Sequence, residues 1–375
     1  MVLCRWRADA KSLAPPQAGP EPDRCLRGDV QVIEKIGLSL RGPGHLLCLH
    51  AERGVGQRSL GGLPGLRKVR RAGVIGWLFA GLLRVFAMLP LGLGWRLADW
   101  LGAAAWALKT DAARITAINL AKCFPEMDSS DRRALARRSL GHTWRLLIEA
   151  GPLTHWSGAR LGKLLIVESG RSLVTEPLEQ GRGLLMLVPH YGNWEYLCYV
   201  LGGLGFVALY DPPRVAGLEP LLLRSRQRFG ATLVPGTPKG LRTAYKTLKA
   251  GGFAAVLPDQ VPAQGGVHAP FFGHPALTMT LGQRLAEKSG APVLIGTARR
   301  VKNGFAAEYT PFPTDIDLSD PAAFATALNQ SIEALARTDP AQYQWEYKRF
   351  KKPPPGSPDP YPKRGRWSSA ARRSG

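Results

Sequence analysis

In this 375-residue chain, the pattern best suited to catalysis is a histidine and a glutamate five residues apart. His190 and Glu195 belong to the run Pro-His-Tyr-Gly-Asn-Trp-Glu, which follows the apolar segment 184–188. An imidazole can remove a proton from a hydroxyl group, and a carboxylate that accepts its other ring N–H fixes the tautomer and stabilises the imidazolium. The pattern therefore predicts general-base catalysis by His190, with Glu195 as its partner.

These two side chains can meet only if the backbone bends between them. On one continuous helix, a separation of five residues would place them about 140° apart. Gly192 permits a tight turn, and Asn193 is a favoured residue at a helix start. The sequence predicts a strand, this turn and then a helix, with His190 at the carboxyl end of the strand, where ligands bind in open α/β sheets.

The surrounding sequence predicts the fold that presents this turn. From residue 163 onward, short apolar strands alternate with helical stretches, which is typical of an α/β fold with a mixed, largely parallel sheet covered by helices. The predicted strands are 164–168, 184–188, 206–210, 232–234, 253–257, 293–298 and 305–310. The predicted helices are 171–179, 193–202, 217–229, 239–250, 279–289 and 321–337.

The segment 67–108 has the composition of a membrane-associated helix. An apolar run extends from Ala72 to Trp95, long enough to span a bilayer, which needs about 20 residues. Arg84 near its middle costs about 2.5–3.5 kcal/mol on insertion scales, and 91–108 is typical of an interfacial helix. We therefore expect an N-terminal membrane-spanning or interfacial helical segment, with a buried helical hairpin as the alternative.

Two polar ends carry most of the formal net charge of +22. Residues 1–66 are predicted to be disordered or a spurious extension, and 351–375 a disordered basic tail rich in proline. The α/β domain is then 109–350. Basic tails attract anionic lipid and nucleic acid alike, so charge leaves a non-enzymatic alternative open: a basic membrane or nucleic-acid adaptor.

The remaining composition predicts neither a metal site nor a cofactor. The five cysteines are odd in number and include no CxxC pair, which argues against a disulfide framework or a zinc site. The sequence also contains no GxSxG elbow, Walker loop, HExxH motif or GxGxxG after a strand.

Motifs along most of the chain match those of one known family. The run at 190–195 resembles the HxxxxD/E motif of the lysophospholipid acyltransferase superfamily, and more narrowly that of the bacterial lipid A biosynthesis late acyltransferases (lauroyl/myristoyl type). Further similar segments are 119–126, 209–213, 224–230, 257–260, 270–273 and 342–351. The resemblance covers about 75–352, with departures at Val261, where many members have an acid, and Tyr347, where some have histidine.

The resemblance implies a glycerolipid acyltransferase-like fold and a specific reaction. An acyl chain would pass from an acyl carrier protein thioester to a hydroxyl of a lipid A precursor, with His190 as general base, no covalent intermediate and no cofactor. Backbone N–H groups at 193–196 are candidates for the oxyanion site. The expected partners are acyl carrier protein, the glycolipid and lipids of the inner membrane, on its cytoplasmic face; nucleic acid is not expected.

Several further residues are candidates for substrate binding. Asn193 lies in the motif, and Asp259 follows a predicted strand, where it would orient a substrate or an arginine, or simply form a turn. Arg224, Arg226 and Arg228 would hold a phosphate of the acceptor, or only stabilise a helix end. The motif does not separate a lipid A precursor from other acceptors, namely a lysophospholipid, an aminolipid or a mannolipid.

Overall fold

The computed structural model describes residues 64–212 and 219–362, with side chains from residue 76 onward. The helices are α1 (Pro64–Met88), α2 (Leu91–Ala107), α3 (Asp111–Cys123), α4 (Ser129–His155), α5 (Gly158–Gly162), α6 (Arg171–Glu179), α7 (Trp194–Gly202), α8 (Glu219–Gln227), α9 (Pro238–Lys249), α10 (Leu281–Ser289) and α11 (Pro321–Thr338). The strands are β1 (Leu165–Ser169), β2 (Leu184–Leu187), β3 (Phe206–Tyr210), β4 (Ala231–Pro235), β5 (Phe253–Val256), β6 (Val267–Phe271), β7 (His274–Thr278), β8 (Val293–Val301) and β9 (Gly304–Pro311).

Seven of these strands form one twisted sheet in the order β1-β9-β8-β2-β5-β3-β4. Only the β8–β9 pair is antiparallel, and the other neighbouring pairs are parallel. The prediction of a largely parallel α/β sheet covered by helices is thus confirmed. All seven strands of this sheet correspond to the seven predicted from the sequence, because apolar runs of four to eight residues are typical of buried strands.

Helices cover both faces of the sheet, so its central strands are buried on both sides. Along β2, Leu185 and Leu187 face one hydrophobic cluster, whereas Leu184 and Met186 face the other. Successive side chains of a strand point to opposite faces, which explains why β2 is apolar throughout rather than alternating. The site at the end of β2 therefore rests on a rigid, fully packed base.

The sequence prediction missed the small hairpin formed by β6 and β7. Both strands contain a proline, and Pro270 is paired with Pro275 in the antiparallel register. Proline weakens a strand prediction and is tolerated in this two-stranded edge hairpin. The turn consists of Phe272 and Gly273, with φ of 49° and 72°. Two positive φ values match the type I′ turn of two-residue hairpins, which a phenylalanine does not signal in the sequence.

The predicted membrane segment folds into two helices that pack on α4. At the α2–α4 crossing, a Cβ added to Gly102 would lie 2.4 Å from the backbone nitrogen of Gly141, so the glycines allow the helices to approach closely. In the part of the chain that is described, no helix combines the length and the apolarity required to cross a bilayer. The expected spanning helix is therefore not supported, since Arg84 and Pro90 interrupt the apolar run.

The predicted disordered tail differs from the structure over its first residues. Tyr361 is buried, and its hydroxyl donates to Asn119 Oδ1 at 2.6 Å and accepts from the backbone N–H of Phe350 at 3.0 Å. This segment lacks regular secondary structure, but a single buried aromatic side chain fastens it to the domain. The predicted extension up to residue 63 and the tail from 363 lie outside the described residues.

Candidate active site

His190 and Asp259 lie side by side because they occupy equivalent positions after two neighbouring strands. β2 and β5 run parallel, with Leu187 paired to Val256. The third residue after each member of this pair is His190 or Asp259, and a proline precedes it in both loops. Parallel strands in register end at the same edge of a sheet, so the two side chains emerge together there.

Asp259 holds His190 through two hydrogen bonds. Ring Nδ1 lies 2.6 Å from Oδ1 of Asp259, and the backbone N–H of His190 donates to Oδ2 at 2.9 Å. Burial pushes the pKa of Asp259 upward, but the charge that His190 has when protonated, these hydrogen bonds and the charge of Arg349 outweigh it and lower the pKa from its ordinary 3.8. An ionised carboxylate can only accept, so Nδ1 carries the ring proton and Nε2 is the acceptor.

The acceptor nitrogen of His190 faces a side-chain amide. Nε2 lies 3.1 Å from Nε2 of Gln260, which donates to it. The ring of Trp194 packs edge-on against the imidazole, with centroids 4.7 Å apart, and limits its rotation. His190 is 9% exposed. The ring is thus oriented as a base, and a substrate hydroxyl that donates to Nε2 would take the place of the Gln260 amide.

The predicted contact between His190 and Glu195 is wrong. The carboxylate of Glu195 instead pairs with Arg226: the guanidinium Nε donates to Oε2 at 2.7 Å, and Nη2 donates to Oε1. Burial opposes the charge of Arg226, but the charge and hydrogen bonds of Glu195 outweigh it and raise the pKa of the guanidinium. The carboxylate that contacts His190 belongs to Asp259, which follows the adjacent strand β5. Glu195, in the first turn of α7, is directed at Arg226 instead.

The turn between these residues forms as predicted and is held by backbone contacts. Gly192 has φ of 64°, and a Cβ there would lie 2.2 Å from the carbonyl oxygen of Ala298. The N–H of Gly192 donates to Gln342 O at 3.0 Å, and the N–H of Asn193 donates to Ala298 O at 2.8 Å. The motif is therefore clamped between β8 and the chain segment after α11.

Asn193 is the N-cap of α7, as predicted, and both polar atoms of its amide form hydrogen bonds within the protein. Its Oδ1 accepts from the backbone N–H of Tyr196 at 3.0 Å, and its Nδ2 donates to Glu149 Oε2 at 2.8 Å. Both ends of the side chain thus hold the helix start in place. The structure thus gives Asn193 a positioning role, and its role in binding substrate stays a prediction.

A buried ion pair that the sequence did not reveal supports the cap. Glu149 accepts from Arg300 Nη2 at 2.7 Å and from Trp95 Nε1 at 2.7 Å, and both partners of the ion pair are 2% exposed. His142 lies 3.5 Å from the same guanidinium. Burial, followed by the charges of Arg300 and two further arginines, lowers the pKa of His142 to about 2, so the ring is neutral.

The predicted arginine cluster is divided among different tasks. Arg226 pairs with Glu195, as described above. Arg228 donates to the carbonyl oxygens of Leu153, Thr154 and Trp156, which lie at the end of α4. These carbonyls have no partners within the helix, so Arg228 caps it. Arg224 is exposed. Arg228 thus has a helix-end role, but at α4; the predicted stabilisation of the end of its own helix stays a prediction.

Polar residues from two chain segments line a pocket beside His190. Its walls include Thr143 and His142 from α4, and Gln344 and Glu346 from the segment after α11. Spacing alone could not identify these residues, since they lie far from the motif in the chain. Within the described ranges, no group of three or more His, Cys, Asp or Glu side chains is arranged to hold a metal ion.

Comparison with known proteins identifies the family. The model of the bacterial lipid A biosynthesis acyltransferases matches residues 61–352. The chain belongs to this family. It is 28% identical over 293 residues to the lipid A biosynthesis lauroyltransferase of Escherichia coli K12, covering 76% of this chain and 94% of that protein. It is also 28% identical over 251 residues to a lipid A biosynthesis acyltransferase of Haemophilus influenzae, covering 64% and 78%.

A more distant relative has a different acyl specificity in its name. The lipid A biosynthesis myristoyltransferase of Escherichia coli K12 is 22% identical over 296 residues, covering 76% of this chain and 89% of that protein. The chain is therefore an enzyme that transfers acyl groups. The non-enzymatic adaptor is excluded by this family membership.

Proposed function

We propose that this enzyme transfers a fatty acyl chain from the thioester of an acyl carrier protein to a hydroxyl of a lipid A precursor. The observation that carries the proposal is the His190–Asp259 pair, in which Asp259 Oδ1 holds ring Nδ1 at 2.6 Å and leaves Nε2 as the acceptor. The family match over 61–352 and the relatives named for lipid A acylation support this acceptor over a lysophospholipid, aminolipid or mannolipid.

His190 acts as the general base in this reaction. Its Nε2 takes the proton of the acceptor hydroxyl as the oxygen attacks the thioester carbonyl. The imidazolium that forms is stabilised by the ionised Asp259. Collapse of the tetrahedral intermediate breaks the carbon–sulfur bond, and the departing thiolate takes the proton from His190. The products are the acyl ester and the free thiol, and the enzyme is unchanged.

The oxyanion of the intermediate is stabilised at the start of α7. The backbone N–H groups of Asn193 and Tyr196 already donate within the protein, to Ala298 O and to the Asn193 side chain. The first N–H groups of a helix lack partners in the helix, which leaves Trp194 and Glu195 as donors. Asp259 therefore replaces Glu195 as the partner of His190, while Glu195 positions Arg226 beside the same helix start.

A basic groove next to the active-site pocket receives an anionic group of the acceptor. Its lining includes Arg137, Arg138 and Arg145 as well as Asp99 and Asp339, and it shares His142 with the pocket. Arg145 is paired with Asp99, whereas Arg137 and Arg138 are exposed. Guanidinium groups recognise phosphate well. Replacing Arg138 with Gln should raise the KM for a phosphorylated acceptor and not for its dephosphorylated form, and an equal effect on both would contradict this assignment.

The first two helices attach the enzyme to the surface of the inner membrane. They expose large apolar side chains, among them Trp77 at 82% and Met88 at 81%. Further members of this apolar surface are Leu78, Leu82, Val85, Leu93, Leu97, Trp100 and Leu108. Such a surface, with tryptophan and the exposed Arg84, suits a bilayer interface, from which a lipid acceptor could enter. Flotation with anionic vesicles should require Trp77 and Met88, and a Trp77→Ser/Met88→Ser variant that still floats would contradict the attachment.

The proposed function is tested by lipid A mass spectrometry in a strain that lacks the gene. Deletion should remove one secondary acyl chain, and the wild-type gene should restore it. His190→Ala and Asp259→Asn should each lower transfer by about 10²–10⁴-fold while the proteins stay folded. His268→Ala, which changes an exposed histidine on the β6–β7 hairpin, is the control. An unchanged number of acyl chains on lipid A in the deletion strain would contradict the proposal. Lipid profiling of the same strain would then identify a different acceptor.

A further inference from the structure

One buried cation of the α/β domain has no part in the chemistry described so far. Arg349, in the segment after α11, is 3% exposed. Its Nη1 donates to the carbonyl oxygen of Leu277 at 2.8 Å, and its Nη2 donates to Thr278 Oγ1 at 2.8 Å and to Asn329 Oδ1 at 2.9 Å. These acceptors are neutral, and Nε is buried without a partner among the described residues. Because a guanidinium is always charged, this buried charge requires compensation from elsewhere in the site.

The buried charges of the described residues identify the anion that compensates it. The other buried arginines each have a carboxylate partner, in the pairs Arg300–Glu149 and Arg114–Asp111. The buried carboxylate that remains is Asp259, which is 3% exposed. Its ion-pair partner is His190, which has no charge before the reaction. Asp259 is therefore a buried anion without a paired cation, and Arg349 is a buried cation without a paired anion.

A hydrogen bond joins the two chain segments that carry these charges. The hydroxyl of Tyr347 accepts from the backbone N–H of Val261 at 2.8 Å. Arg349 lies two residues after Tyr347, and Asp259 lies two residues before Val261. Burial raises the pKa of Asp259, whereas the charge and hydrogen bonds of His190, followed by the charge of Arg349, lower it. The fold thus holds the guanidinium where its charge acts on the catalytic carboxylate.

The other titratable groups around this site do not supply the missing charge. The thiol and phenol groups that interact with the charge of Arg349 belong to Cys123, Tyr343 and Tyr361. Burial raises the pKa of all three, so they stay neutral. Further groups on the elements packed around Arg349 are Lys122, His274, Glu333 and Arg337. Glu333 and Arg337 pair with each other. On the pocket side of His190, burial favours the neutral form of both Glu346 and His142, since it raises the pKa of the first and lowers that of the second.

We propose that Arg349 is a positioning residue for acyl transfer, whose charge compensates that of Asp259 and keeps the His190 ring unprotonated before the substrate hydroxyl binds. Without this cation, the buried pair would be neutral overall only with a protonated ring, which cannot act as a base. With it, the three groups have no net charge while the imidazole is neutral. The positive charge that the ring gains is matched by the oxyanion that forms in the same step. The inference rests on the proposed function, because Arg349 acts through the general base.

The test is the pH dependence of kcat/KM in a purified assay with an acyl carrier protein thioester and a lipid A precursor. Arg349→Gln should move the midpoint of the acidic limb upward by about one pH unit or more, because loss of a nearby positive charge favours protonation of the imidazole. Arg349→Lys retains the charge and should keep the wild-type midpoint. Thr278→Val is the matched control, since it removes an acceptor of the same guanidinium and leaves the charge in place. It should lower the melting temperature and leave the midpoint unchanged.

A second measurement applies even if Arg349→Gln does not fold. The double variant Arg349→Gln/Asp259→Asn lacks both charges, so it should be more stable in urea than Arg349→Gln alone, at a pH above the acidic limb where the ring is neutral. A role limited to the hydrogen bonds of Arg349 predicts an unmoved midpoint and no gain in the double variant, and either result overturns the inference. Those results leave the proposed function intact, whereas a wild-type enzyme that transfers to the lipid A precursor at no pH contradicts the proposed function itself.

Discussion

Two glutamate–arginine pairs flank the start of α7, and they differ in burial. Glu149 and Arg300 are each 2% exposed, and the carboxylate also accepts from Asn193 and Trp95. Glu195 and Arg226 are about a fifth exposed, at 21% and 22%. A buried pair is costly to break because the remaining charge has no access to water, whereas a partly exposed pair contributes little to stability. The Glu149–Arg300 pair therefore supports the fold of the motif, whereas the Glu195–Arg226 pair can serve the active site.

The largest effect is expected from breaking the buried pair. Glu149→Ala leaves Arg300 as an uncompensated buried charge and removes the acceptor of Asn193. It should lower the free energy of unfolding by about 3–5 kcal/mol, measured by urea denaturation followed by circular dichroism. The control is Glu308→Ala, which breaks the Arg299–Glu308 pair, whose members are each about a third exposed. Equal losses for the two variants would show that burial does not distinguish these pairs.

A pH-dependent effect of intermediate size is expected from His142, next to the buried pair. The unfolded chain binds a proton at this residue near pH 6.5, whereas the folded protein does so only near pH 2. Between these values the unfolded state holds more protons, so stability falls as the pH drops below about 6.5. His142→Gln should lose less stability than the wild type between pH 7 and pH 5, measured by thermal unfolding.

Exposed His268 provides the matched control for that measurement. His268→Gln should follow the wild-type pH dependence. If His142→Gln also follows the wild-type pH dependence, proton uptake at His142 in the unfolded chain does not contribute to the pH dependence of stability. The surroundings of His142 would then be more open to solvent than the structure indicates.

The smallest change in stability is expected at the partly exposed pair. Glu195→Gln should alter the free energy of unfolding by less than about 1 kcal/mol. Acyl transfer should fall by about tenfold, equivalent to ~1.4 kcal/mol of transition-state stabilisation, because Arg226 loses its anchor. Steady-state kinetics alongside Asp259→Asn measure this. If Glu195→Gln loses as much acyl transfer as Asp259→Asn, Glu195 acts on the reaction directly, although it has Arg226 and not the His190 ring as its partner.

The sequence predicted the local parts of the site correctly and the partner of His190 wrongly. The turn at Gly192 and the cap at Asn193 depend on neighbours in the chain, and both are confirmed. The partner of His190 depends on which strand lies beside β2. The chain passes through β3 and β4 before it returns as β5 to that position. Both His190 and Asp259 follow a proline at the end of an apolar strand, a similarity that is visible in the sequence. It indicates a contact between them only once the two strands are known to be neighbours.

Local sequence patterns were enough to predict the seven strands of the main sheet, the α/β class, the bend of the motif and the family resemblance, because apolar period, turn chemistry and capping act over a few residues. The tertiary structure was needed to show that Asp259 orients His190, that Glu195 binds Arg226, and that Glu149 and Arg300 support the motif. Those contacts join residues far apart in the chain, and their energies depend on burial, which no local pattern encodes.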